Sequence, residues 1–138
     1  MSNSSYKSQV LQYKNVRGET PFLVAAANGS SNAMRTILTY GGDIFALDQR
    51  GNSALHLSAC SDNYRDALRE LLAWLTDTKF INIVNDERKT PLHIAAENCA
   101  VKCVRELLKV CSEFHSISYV ILLLLIFIVT KRLSKIKL

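Results

Sequence analysis

The chain of 138 residues is short of most features that carry chemistry. Its five glycines include no Gly-x4-Gly-Lys spacing, which excludes a phosphate-cradling loop. There is no Gly-x-Ser-x-Gly, and no pair of carboxylates can be assigned to a common cleft, so nucleophilic and general acid–base hydrolysis lack their parts. The four cysteines (Cys60, Cys99, Cys103, Cys111) contain no Cys-x2-Cys pair. Residues 1–15 are polar without an apolar core, so no secretory signal is read there and the cysteines are expected as thiols in a reducing compartment. Basic residues are not concentrated on the body of the chain. The formal net charge is +5, but Lys131, Arg132, Lys135 and Lys137 supply four of the positives, and the first 130 residues are close to neutral. A nucleic-acid-binding face is therefore not expected.

Proline is scarce as well, and both prolines stand in the same context. Thr90-Pro91-Leu92-His93-Ile94-Ala95-Ala96 reads as a helix opening. Thr90 can cap the first turn, Pro91 sits where an N–H has no partner anyway, Leu92 and Ile94 begin an apolar face, and the alanines allow close approach. Thr20-Pro21-Phe22-Leu23-Val24-Ala25-Ala26 and Ser53-Ala54-Leu55-His56-Leu57-Ser58-Ala59 match it position by position, at spacings of 33 and 37 residues. Second helices follow, carrying Ala33, Met34, Ile37 and Leu38, then Ala67, Leu68, Leu71 and Leu72, then Cys103, Val104, Leu107 and Leu108. The i, i+1, i+4, i+5 pattern puts each set on one face.

A period near 33 with this opening resembles the ankyrin-repeat family across residues 15–113. The resemblance implies an all-α solenoid of about three helix-turn-helix repeats, over about 15–48, 49–85 and 86–113, behind a polar N-terminal arm at 1–14. The extra residues of repeat two are placed at Ser61-Asp62-Asn63 and after Leu75, so Thr76 to Phe80 are expected to bulge from the stack. Gly41 is expected as a left-handed C-cap. Three departures stand out: Leu23 replaces the usual His in repeat one, Ala54 replaces Pro, and Arg88 stands where repeats one and two have Gly18 and Gly51. The opening at Thr20–Ala27 also resembles one found in nuclear relatives of the IκB inhibitors; the phosphodegron of the cytoplasmic members is absent.

The family resemblance implies a protein-interaction scaffold and no enzyme, cofactor or small-molecule substrate. It also implies that partners meet the turn tips and the exposed side of the first helices. Here those residues are Asp48, Gln49 and Arg50 at one tip, Asn85, Asp86, Glu87 and Arg88 at the next, and Asn28, Ser61, Glu97 and Asn98 on the helices. His56 and His93 are expected to hydrogen-bond locally and steady the turn. His93, Cys99, Cys103 and Cys111 are zinc-ligand residue types, but their spacings of x5, x3 and x7 and the repeat frame send them apart, so no metal is predicted.

The last stretch differs in kind. Residues 114–130 carry no formal charge, and Ile117 followed by Val120, Ile121, Leu122, Leu123, Leu124, Leu125, Ile126, Phe127, Ile128 and Val129 gives an apolar segment. Seventeen residues are at the low edge of what spans a bilayer. This predicts a single-pass hydrophobic helix that anchors the chain to a membrane by its tail, with the repeats facing the cytosol and residues 131–138 a basic tail beyond it. The alternative is a soluble IκB-like regulator of a transcription factor, in the cytoplasm or nucleus, with a truncated or alternative C-terminus.

Overall fold

The structure, a computed structural model, describes residues 3–75 and 77–111. The expected membrane residues, from Ile117 to Val129, and the basic tail lie outside the described residues. Within them there are eight α-helices and no strand: α1 Asn3–Leu11, α2 Pro21–Ala27, α3 Ser31–Thr39, α4 Ala54–Ser58, α5 Arg65–Trp74, α6 Thr78–Ile81, α7 Pro91–Glu97 and α8 Val101–Cys111. A 3-10 turn at Asp62–Tyr64 leads into α5.

Three helix-turn-helix units, α2/α3, α4/α5 and α7/α8, stack side by side. The first helices α2, α4 and α7 form one layer, while α3, α5 and α8 form the other. The openings cap as the sequence predicts. The Thr20, Ser53 and Thr90 hydroxyls accept the backbone N–H of Leu23, His56 and His93 at 3.3, 3.4 and 3.3 Å. Each closes one of the four N–H groups that a helix start leaves open. The core is continuous across the units and centres on Phe22, Leu23, Met34, Leu55, Leu68, Leu71 and Leu107, all buried. On the outer layer Arg35 pairs with Glu70, and Arg69 with Glu106 at 3.8 Å, so the same rung recurs from one unit to the next.

Gly41 is the left-handed residue after α3, with φ +96°. The Gly42 N–H returns to the Ile37 carbonyl at 2.9 Å and the Gly41 N–H to Leu38 at 3.1 Å, which ends the helix on satisfied carbonyls.

Three features depart from the expected arrangement. The polar arm contains a helix, α1, whose Lys7 ammonium lies 5.0 Å from the centre of the Tyr40 ring. The segment after Leu75 does not simply bulge. It forms α6, buries Ile81, and sets Phe80 edge-on to Phe45 with ring centres 4.9 Å apart. The extra residue near Asp62 also has a structural role. Asp62 Oδ1 accepts the backbone N–H of Lys102 at 2.8 Å and of Cys103 at 3.2 Å, so a loop of repeat two caps the start of α8 in repeat three.

Candidate partner-binding surface

The tips of the three units are built alike. In each, an Asn or Asp side chain bends back over its own turn. Asn15 Oδ1 accepts the N–H groups of Arg17 and Glu19, Asp48 Oδ1 those of Arg50 and Asn52, and Asn85 Oδ1 those of Glu87 and Lys89, all at 2.8–3.0 Å. These side chains fold the turn by standing in for a backbone acceptor. Neighbouring tips are then joined by backbone bonds, from Gln49 N–H to the Arg17 carbonyl at 3.2 Å and from Asp86 N–H to Arg50 at 2.9 Å.

Several of the expected contact residues therefore have structural duties. Asn85 is 8% exposed and also donates from Nδ2 to Asn52 Oδ1 at 2.9 Å, so it scaffolds the tip and does not present an open side chain. Asn28 and Asn98 remain exposed but donate their amides to the Val24 and Ile94 carbonyls, both at 2.8 Å, closing α2 and α7. Ser61 is half-buried and accepts the Asn63 N–H. Glu97 shares Lys89 with Glu87, the Lys89 ammonium lying 2.9 and 2.8 Å from the two carboxylates. The bond to Lys89 holds the Glu87 carboxyl below the usual carboxylate range and raises Lys89. Gln49, Arg50, Asp86, Glu87 and Arg88 are exposed on the tips, as expected.

The histidines do steady the turns, and His56 does more. Its Nδ1 accepts the Ser53 backbone N–H at 3.1 Å, which leaves the proton on Nε2, and Nε2 donates to the Lys89 carbonyl of the next repeat at 2.8 Å. Burial lowers the His56 pKa, against the opposing pull of the Lys89 carbonyl and the Asp48 charge. His93 makes the local bond to Thr90 at 3.1 Å. The Cys103 thiol is buried and donates to the Ser61 carbonyl at 3.2 Å. Desolvation pushes its pKa up to about 12. That is the setting of an inert core thiol, not of a thiolate ligand. Among the described residues no three His, Cys, Asp or Glu side chains converge on a point that could hold a metal ion.

Between the first and second tips lies a cleft of about 480 Å³, lined by Arg17, Glu19, Ala27, Asp48, Gln49, Arg50, Asn52 and Leu57. The first tip does not figure among the contact residues expected from sequence. The signal for it is the spacing of Asn15, Asp48 and Asn85, which repeats at 33 and 37 like the helix openings and places a third turn at Asn15.

A family model described as ankyrin repeats (3 copies) matches residues 4–78 and 22–118. The chain belongs to the ankyrin-repeat family. It is similar to the nuclear factor NF-kappa-B p105 subunit of Rattus norvegicus, at 26% identity over 116 residues, covering 84% of this chain and 12% of that protein. It is also similar to the ankyrin repeat protein FPV228 of fowlpox virus, at 29% identity over 106 residues, 67% of this chain and 20% of the viral protein. The chain thus spans a fifth or less of the length of these relatives. The tips and the outward side of the first helices are this ankyrin stack's candidate contact surface, and the cleft lies between tips one and two.

Proposed function

We propose that the chain is a protein-interaction module, not an enzyme, and that its partner is bound across the tips and the adjoining side of α2, α4 and α7. The observation that carries this reading is the cleft between the first two tips, where exposed polar side chains at Arg17, Gln49 and Arg50 surround the half-buried Leu57. Polar rims around a small apolar centre are the usual anatomy of a protein contact. Gln49, Arg50, Asp86, Glu87 and Arg88 are the contact residues assigned here. Asn28, Asn98 and Ser61 form the edge. A photo-reactive amino acid placed at Gln49 or Glu87 should give a discrete adduct in cells, and one placed on the outer layer at Thr36 or Arg105 should not. Equal labelling from both faces would overturn the assignment.

A membrane anchor at residues 114–130 is part of the same reading. It rests on the uncharged run Val120–Val129 and the basic residues after it. No helix among the described residues is long and apolar enough to cross a membrane. The full chain should resist alkaline carbonate extraction from membranes, and a chain ending at Glu113 should not sediment with them. Release of the full chain by carbonate favours the second reading, a soluble regulator of a transcription factor. Its support is the likeness to the p105 subunit of NF-kappa-B.

A further inference from the structure

We infer that the cleft between the first two tips takes an extended acidic segment of the partner protein that also carries an apolar side chain. This deepens the reading above and rests on it. The formal charges lining the cleft cancel and the Asp48 and Glu19 carboxylates keep theirs, but acceptor oxygens of both are engaged while the guanidinium donors are not. Asp48 is committed to its own turn: Oδ1 accepts the Arg50 and Asn52 N–H groups at 2.8 and 2.9 Å, and Oδ2 accepts Asn52 Nδ2 at 3.3 Å. Glu19 Oε1 accepts Asn15 Nδ2 at 3.3 Å. The Arg17 and Arg50 guanidinium groups, by contrast, have no hydrogen bond or ion pair among the described residues, and both side chains are exposed. Glu87 feels the charge of Arg50 but is bonded to Lys89.

The bond from Gln49 to the Arg17 carbonyl holds the two tips together, so the two exposed guanidinium groups flank a single cleft. A guanidinium offers a planar fork that fits a carboxylate in two-point contact. Ala27 and Leu57 on the first-helix side supply an apolar floor between them. The complementary ligand presents two carboxylates on either side of one apolar side chain. The third tip does not extend this surface, because its exposed Asp86 and Glu87 outnumber Arg88 and its Lys89 is held by Glu87 and Glu97.

The test uses the full chain in a neutral detergent and two fluorescein-labelled peptides, Gly-Glu-Leu-Glu-Leu-Glu-Gly and its glutamine counterpart Gly-Gln-Leu-Gln-Leu-Gln-Gly, followed by fluorescence anisotropy. The glutamate peptide should bind about tenfold more tightly, and Arg17→Ala and Arg50→Ala should each weaken it about tenfold, the scale of one charge-assisted contact. Arg50→Lys should recover part of the loss, and the melting temperature should be unchanged in all three variants. Equal binding of the two peptides, binding of neither, or an equal loss with Arg105→Ala on the outer layer would each overturn the inference. A partner cross-linked from Gln49 together with failure of the glutamate peptide removes this inference and leaves the interaction module standing.

Discussion

Repeats one and three have the same backbone but solve its two tight points differently. Repeat one uses Gly18, at φ +73°, in its tip and Gly29, at φ +65°, after its first helix. Repeat three places Arg88 at φ +59° and Cys99 at φ +55° in the same positions. Conformation alone does not account for the glycines, since the backbone angles nearly coincide. The neighbouring repeat does. A Cβ on Gly18 would stand 2.8 Å from the backbone nitrogen of Gln49, and one on Gly29 would stand 2.2 Å from the Tyr64 ring. Among the described residues no further repeat follows α8 to lean on Arg88 and Cys99. Glycine is demanded at Gly18 and Gly29, where repeat two leans on repeat one, whereas Arg88 and Cys99 carry a side chain at the cost of a strained left-handed residue.

The largest effect expected is one that erases the contrast. Leu71 is fully buried on α5, between the two outer units, and Leu71→Ala should cost about 2–5 kcal/mol and melt both repeats together in thermal denaturation followed by circular dichroism. Independent melting of repeat three would break the picture of a shared core. Next, Gly18→Ala and Gly29→Ala should each cost about 2 kcal/mol, because each adds overpacking to left-handed strain. A loss of only about 1 kcal/mol at both, the left-handed penalty alone, would mean that the glycines answer to conformation only.

His56 gives a pH-dependent version of the comparison, since Leu23 holds its place in repeat one. Burial holds the pKa of folded His56 below the ordinary imidazole value of 6.5, so the folded state favours neutral imidazole. Its contribution is present above 6.5 and is lost as pH falls through the window between 6.5 and the lower folded value. Urea midpoints should fall on acidification, and His56→Leu should remove that part of the slope while lowering stability at neutral pH by about 1 kcal/mol. An unchanged slope would show that another group carries it. Asp62→Ala should cost about 1 kcal/mol by uncapping α8, and hydrogen exchange should quicken at Lys102 and Cys103 first. The smallest change runs the other way. Arg88→Gly should gain about 0.5 kcal/mol, the left-handed penalty less the entropy of glycine.

What was legible in the sequence follows from how local each signal is. The caps at Thr20, Ser53 and Thr90 and the apolar faces of the second helices lie within a few residues of their partners, and the structure has them where the spacing puts them. Helix α1 has no apolar face to reveal it, so its residues read as a polar arm. Asp62 caps a helix 40 residues away, and the His56 ring bonds a carbonyl 33 residues on. No pattern within a window of sequence contains both ends of such a bond. On the contact surface, exposure at Gln49, Arg50 and Glu87 was readable from the tip register. The engagement of Asn85 and Asp48 in their own turns was not, since it depends on how an Asn or Asp side chain folds back.

The pair Arg88 and Cys99 also changes what a further repeat would meet on the open side of repeat three. A fourth repeat docked on the third as the second docks on the first would bring a tip nitrogen to the 2.8 Å approach that Gly18 accommodates, and a ring such as that of Tyr64 to the 2.2 Å approach at Gly29, against two side chains that neither shift nor shrink without moving the backbone. A copy of repeat two set behind repeat three would meet side chains at two points where, behind repeat one, it meets glycine.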